Sequence, residues 1–335
     1  MNITLYPTKP LSTICLFTMV HTSRTHLYPS FEELQSTGMF SSDANCSQYL
    51  LDVKILPTKR RCSLCTDHDR MVIKECSTSS YKDGCCWQCP KGHKTSLKAG
   101  SILENSNITY REFILILASF ADSLTVTRTA ERVNVAETTV RRIFHSIREQ
   151  MAEDIKTSPK IGGPSTIVEV DEAKFGKQKF NRGRPVEGKW MAGGIQRHSD
   201  LCFLAICPEN KRDAATLGKL VQTYVRRGTT VITDKWKGYV NLTTLGYIHL
   251  DVNHSTNFVD PETGANTNSI EGTWTHAKRA ARIRHGGVRS EDSFALDISQ
   301  FIWMKQRGLL RSRDRVRDLF SKELPELLNY RRFYN

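Results

Sequence analysis

Three acidic residues stand where carboxylates can meet. Asp171 ends the apolar run Thr166-Ile167-Val168-Glu169-Val170, and Asp234 ends Thr230-Val231-Ile232-Thr233. Glu271 lies in Thr267-Asn268-Ser269-Ile270-Glu271-Gly272-Thr273-Trp274. There Ile270, Trp274 and Ala277 recur at i, i+4 and i+7, which predicts a helix with one buried face. Asn268 sits one turn before Glu271. Three carboxylates at one point repel unless cations compensate. Two magnesium (or manganese) ions about 3.5–4 Å apart do so, and stabilise the attacking and leaving oxygens of an in-line phosphoryl displacement. Magnesium prefers carboxylate and water oxygens. Asp171, Asp234 and Glu271 are thus the candidate catalytic and metal-binding residues. A lone acid at a strand end is more often a turn residue; the three together, in a basic chain, favour a site.

The elements that must position them read as follows. Thr166–Asp171 is a strand. Lys189–Ile195 and Leu201–Ile206 are the next two, joined by the turn Arg197-His198-Ser199-Asp200. A helix spans about 214–226, Thr230–Asp234 is a buried strand, and Ile248–Val252 is another. The order β-β-β-α-β-β-α predicts an α/β domain over 165–310: an RNase H-like catalytic domain, with a mixed five-stranded sheet and helices. Between the first two strands, Lys174, Lys177, Lys179, Arg182 and Arg184 alternate with Phe175 and Phe180, a composition suited to a nucleic-acid backbone. Lys278 and Arg282, on the helix of Glu271, are further candidate phosphate contacts.

Upstream, Cys62-x2-Cys65 and Cys86-x2-Cys89 predict a zinc ribbon over 58–100, with a structural tetrahedral zinc. Cys85 is an alternative to Cys86, and Cys76 and His93 are spare candidates. Lys59, Arg60, Arg61, Lys91, Lys94 and Lys98 surround this segment and are placed to touch phosphates. Over 108–157 the pattern is helical. Thr127–Val133, a turn at Val135 and a helix through Thr138, Thr139, Val140, Arg141, Arg142 and Ile143 predict a helix-turn-helix, with Thr138, Thr139, Arg141 and Arg142 facing a major groove. The bland alternative is a helical pair joining two domains. Ser158–Pro164 reads as a linker. Residues 1–57 carry little pattern beyond a short helix starting at Phe31, capped by Ser30, and an apolar Leu11–Val20 without a clear cleavage site. The tail 311–335 reads as helical, placed to cover the site or pair with another copy.

A formal net charge of +13 favours a polyanionic partner, nucleic acid before membrane. No run approaches 18 apolar residues, so no membrane span is expected. Hydrophobic residues at 39% and charged residues at 25% exclude a disordered chain.

Val170-Asp171-Glu172-Ala173-Lys174-Phe175-Gly176 with Asn181-Arg182-Gly183-Arg184 resembles the first catalytic block of Merlin-type DDE transposases, relatives of bacterial ISXO-type insertion-sequence transposases. Thr233-Asp234-Lys235-Trp236-Lys237-Gly238-Tyr239 is similar to their second block. Val252-Asn253-His254-Ser255, Phe258–Gly264 and Thr267–Trp274 are similar to the third. The resemblance covers about 58–310. It implies cut-and-paste transposition: binding of terminal inverted repeats, metal-dependent DNA cleavage and strand transfer to target DNA. By position it assigns Asp171, Asp234 and Glu271 as the metal-binding triad, with Asn268 in reserve because some bacterial relatives place Asn or His third, and places Asn253 and His254 near it. It also implies a homodimer or larger assembly on DNA and action in the nucleus. The competing expectations are a catalytically idle DNA-binding descendant and a stand-alone nuclease.

Overall fold

Strict alternation along Ile167–Phe175 decides how the C-terminal half is layered. This strand (β5 below) turns Val168 and Val170 to one face and Glu169, Asp171, Ala173 and Phe175 to the other. Both faces are covered, so the sheet is a central layer between two helical ones. The structure, a computed structural model, describes residues 31–65, 70–76, 84–176, 188–252, 266–285, 290–312 and 314–329.

In chain order the described elements begin with helices α1 (Phe31–Ser36) and α2 (Asp43–Asp52). A four-stranded antiparallel sheet follows: β1 (Arg60–Arg61), β2 (Arg70–Glu75), β3 (Cys85–Gln88) and β4 (Lys94–Ser96). Helices α3 (Tyr110–Ala121), α4 (Val126–Val133) and α5 (Glu137–Lys156) come next. The C-terminal half holds β5 (Ile167–Phe175), β6 (Lys189–Gln196), β7 (Cys202–Ile206), α6 (Ala214–Tyr224), β8 (Thr230–Asp234), β9 (Ile248–Val252), α7 (Asn268–His285) and α8 (Glu291–Gln306).

The second sheet has the spatial order β7-β6-β5-β8-β9. β5, β6 and β7 pair antiparallel, whereas β8 joins β5, and β9 joins β8, in parallel. This is the mixed five-stranded sheet that the element order predicts. Parallel pairing requires a crossover, and α6 supplies it. Asp213 caps α6, its side chain accepting from the Thr216 amide at 2.8 Å. α6 covers one face through Leu217 and Val221, packed with Val168, Val170 and Phe203. α7 and α8 cover the other through Ile270, Trp274, Ala277, Phe294 and Ile298, packed with Phe175, Met191 and Leu204.

A separate core joins the N-terminal half to the C-terminus. α3 carries a complete capping box at Thr109 and Glu112. α4 ends at Asn134 in the left-handed conformation (φ 59), a residue type that tolerates that region. The turn through Val135 then leads into α5. Ala130, Val133, Val140 and Ile143 are buried as the periodicity predicts. The tail, expected near the site or on another copy, packs instead on these helices: Leu319, Phe320, Leu324, Leu327 and Leu328 share their core. Among the described residues no helix is long and apolar enough to cross a membrane.

Candidate functional site

Register brings the first two carboxylates level. In the parallel pair, Val168 lies opposite Val231 and Glu169 opposite Ile232. Two residues further on stand Asp234, where β8 ends, and Asp171, past which β5 runs on beside β6 alone. Glu271 arrives in the first turn of α7. Burial is the main cause that raises the Asp171 carboxyl to about 6; the charges of Asp234 and Glu271 add to it, and hydrogen bonds from the Glu172 backbone and Trp274 oppose it. The three expected residues are therefore near enough for their charges to act on one another. Cations are what such a set lacks, and its all-oxygen donors fit magnesium or manganese. Among the described residues these carboxylates are less tightly gathered than the Cys/His group described below, whose ligand atoms all lie within 4.8 Å of one another.

Each carboxylate is held. The indole Nε1 of Trp274 donates to Asp171 Oδ2 at 3.1 Å. Trp274 reaches it by lying over Gly193, the residue opposite Asp171 in β6. A Cβ at Gly193 would stand 2.7 Å from the indole, so only glycine admits this ring. The Trp236 amide donates to Asp234 Oδ1 at 3.2 Å, and Thr267 Oγ1 donates to Glu271 Oε1 at 3.3 Å. Asn268 is exposed at the start of α7.

Sequence reasoning missed the residue that docks α7. Glu169 is fully buried. Its Oε2 accepts from the Ser269 and Ile270 amides at 2.8 and 3.1 Å, and its Oε1 from Ser269 Oγ at 3.0 Å and Arg197 Nε at 2.8 Å. Arg197 also donates to the Asn266 carbonyl at 2.9 Å. A carboxylate at a helix N-terminus satisfies amides that have no intrahelical partner and complements the helix dipole. Glu169 thus pins the turn that carries Glu271 to the strand that carries Asp171. A charged residue inside an apolar strand was the available signal.

Glu172, the next residue after Asp171, points to the opposite face. Burial pushes its carboxyl up to about 7, helped by Asp234 and Asp171 and opposed by Tyr239 and Arg212. Arg212 approaches it to 3.8 Å.

The expected basic contacts divide. Lys174 lies on β5 with its ammonium 5.7 Å from the Trp190 ring centre. Lys278 stands 5.7 Å from the Phe175 ring centre. Thr138, Arg141 and Arg142 are exposed on the first turns of α5, and Thr139 is half-buried. Lys98 is a correction: it is buried, donating to the Ile108 carbonyl at 2.8 Å, and is turned away from any phosphate. Lys177, Lys179, Arg182, Arg184, Asn253, His254, Ser30, Leu11–Val20 and the 258–264 block lie outside the described residues, as does the side chain of Arg282.

In the N-terminal sheet, Cys62, Cys65, Cys89 and His93 place one ligand atom each within 4.8 Å of all the others. His93 Nδ1 lies 3.5, 3.4 and 3.5 Å from the three sulfurs, and Cys65 and Cys89 sulfurs are 3.7 Å apart. Zinc bonds of about 2.3 Å to sulfur and about 2.0 Å to nitrogen give tetrahedral edges near these lengths. The group can hold a zinc ion. Burial works to raise the Cys62 thiol, but hydrogen bonds from Leu64, Cys65 and His93 outweigh it and bring it to about 7. The expected fourth ligand, Cys86, is elsewhere. It sits within β3 opposite Lys74 and Ser96, and its sulfur is bonded to Cys76. Strand alternation sends residues three apart to opposite sides. Cys89 instead opens a turn, Gly92 with φ +89 completes it, and His93 comes back beside Cys89.

Residues 162–305 match the ISXO2-like transposase domain. That match covers the whole second sheet, α7 and nearly all of α8, and supports an insertion-sequence-type transposase, a class of DNA-cutting enzyme. No curated protein matches the chain. Among solved structures, the chain is similar to a Mos1 transposase paired-end complex with left transposon end, at 14% identity over 66% of this chain and 76% of that one, with a TM-score of 0.28. A mariner Mos1 paired end complex with Mg matches at 12% identity over 64% and 75%, with a TM-score of 0.25. One with Mn matches at 14% over 62% and 78%, with a TM-score of 0.23. At this degree of similarity the site of the transposase domain rests on the chain's own geometry.

Proposed function

We propose that the chain is a Merlin-type DDE transposase that binds terminal inverted repeats, cuts DNA at their ends and joins the freed 3′ ends to target DNA. The observation that carries this reading is the register that sets Asp171 level with Asp234 on β5 and β8, with Glu271 in the first turn of the helix docked on β5. Asp171, Asp234 and Glu271 would hold two divalent ions, which supply activation of the attacking oxygen and relief of charge on the leaving one. The chain's own part is positional. Trp274 orients Asp171, the Trp236 amide orients Asp234, and Glu169 with Thr267 sets Glu271. Cleavage breaks a phosphodiester P–O bond by attack of water; joining repeats the displacement with a DNA 3′-hydroxyl as nucleophile.

Cys62, Cys65, Cys89 and His93 form a zinc ribbon in this reading, and α4 and α5 a helix-turn-helix that presents Thr138, Thr139, Arg141 and Arg142 to DNA. Joining two ends requires at least two sites, so we infer a homodimer or larger assembly on DNA, acting in the nucleus. The test is joining of pre-cut repeat ends to a circular target in magnesium. Joined products are expected. Hydrolysis without joining would mark a nuclease, and DNA binding with neither reaction would mark an idle descendant.

A further inference from the structure

Arg212 is stacked between two indoles. Its guanidinium carbon lies 4.1 Å from the ring centre of Trp190 and 4.3 Å from that of Trp236. Lys174 stands over the same Trp190, its neighbour across the β5–β6 pair. Lys174, Trp190, Arg212 and Trp236 thus make a ladder of alternating cations and aromatic rings, on the face of the sheet away from α7. Glu172, 4% exposed, faces Arg212 and gives the guanidinium an anionic partner at the sheet. The ladder ends at the catalytic edge, because the Trp236 amide is the group that holds Asp234.

The end of the ladder is open. Trp236 is 41% exposed although Arg212 covers one face of its ring. Pinning of the 207–213 loop accounts for Trp190 and Arg212, which are half-buried. It does not account for a second large aromatic side chain that packs on Arg212 and Gly238 yet stays 41% exposed, two residues from Asp234. Lys235 and Lys237 flank it, both exposed. Aromatic faces interleaved with cations are what an unpaired nucleotide strand needs, rings for bases and cations for phosphates. A paired duplex has no free base face to offer.

We propose that this ladder is a single-strand stacking site, in which an unpaired DNA base next to the cut lies on Trp236 and its phosphates run towards Lys174. The proposal rests on DNA being the substrate of the Asp171–Asp234–Glu271 site. The probes are a duplex with a short unpaired end and its fully paired counterpart, titrated against the full chain in magnesium buffer. The unmutated protein should bind the frayed duplex more tightly, by about tenfold for a single stacked base, with quenching of indole fluorescence. Trp236→Ala should abolish that preference and keep the affinity for the paired duplex; Trp236→Phe should keep part of the preference. Unchanged thermal melting of Trp236→Ala shows that the fold is intact. Equal binding of both duplexes by the unmutated protein, or an undiminished preference in Trp236→Ala, overturns the stacking site and leaves the DNA reading standing. Binding of neither duplex overturns both.

Discussion

Glu169 and Asp171 are two residues apart on one face of one strand, and they do different work. Asp171 is a candidate metal ligand held by Trp274; Glu169 is buried and already satisfied by two amides, a hydroxyl and Arg197. Glu169→Gln would turn an amide NH2 towards donors and leave Arg197, itself only 18% exposed, without its partner. Loss of a buried pair of this kind costs about 3 kcal/mol. The expected outcome is a lower melting temperature, with DNA cleavage falling further than DNA binding; an unchanged melting temperature would contradict the docking role. A second residue-scale prediction concerns His249, which lies 2.9 Å from Thr233 Oγ1. Burial holds its imidazole below the usual 6.5, against a smaller opposing pull from Asp251. The folded state therefore favours neutral His249, so its contribution is present above about 6.5 and is lost as pH falls through the lower folded value. Acidification should cost the unmutated protein more stability than His249→Gln, as read by urea unfolding; parallel pH profiles would contradict this. The candidate carboxylates Asp171 and Asp234 were legible because an Asp after an apolar run is a local pattern. Glu169 was not, because the α7 amides it holds lie about a hundred residues away and an acid in an apolar run predicts no particular partner.

At the scale of elements, hydrophobic periodicity predicts the second sheet and its helices with few exceptions, since both faces of β5 must be covered and α6 and α7 carry matching stripes. The metal group shows where spacing misleads. Cys86-x2-Cys89 has ligand spacing, yet β3 extends through Cys86 and only Cys89 reaches the turn. His93 is a ligand candidate because Gly92 reverses the chain, and a lone histidine four residues on carries little signal by itself. The full chain should bind one zinc through this group. His93→Ala should lose that zinc, whereas Cys86→Ser should keep it; metal content after dialysis decides between them. Loss of zinc in Cys86→Ser with retention in His93→Ala would restore the paired-CxxC assignment.

Across the whole molecule, residues 39–151 and 303–328 contribute to one core. Leu319, Phe320, Leu324, Leu327 and Leu328 complete the packing of α3 and α5, each side chain contributing about 1.5–3 kcal/mol of burial. α5 also meets α8 of the transposase domain, where Asp154 accepts from Trp303 Nε1 at 3.0 Å and pairs with Arg307. A chain ending at residue 310 should therefore lose the fold of 31–157, seen as a drop in helical circular dichroism and in protease resistance; an unchanged spectrum would contradict this. That joint was invisible in the sequence, because an amphipathic tail does not declare which apolar face it will cover. The net charge of +13 is legible at once and points to a polyanion, but only the carboxylates specify what happens to it. The most direct measurement is magnesium-dependent cleavage of a duplex that ends in the terminal inverted repeat the proposed function requires, compared with Asp234→Ala. The account predicts cutting at the repeat ends by the unmutated protein, and in the variant a loss of cutting with DNA binding retained. Cutting that survives in Asp234→Ala would contradict it.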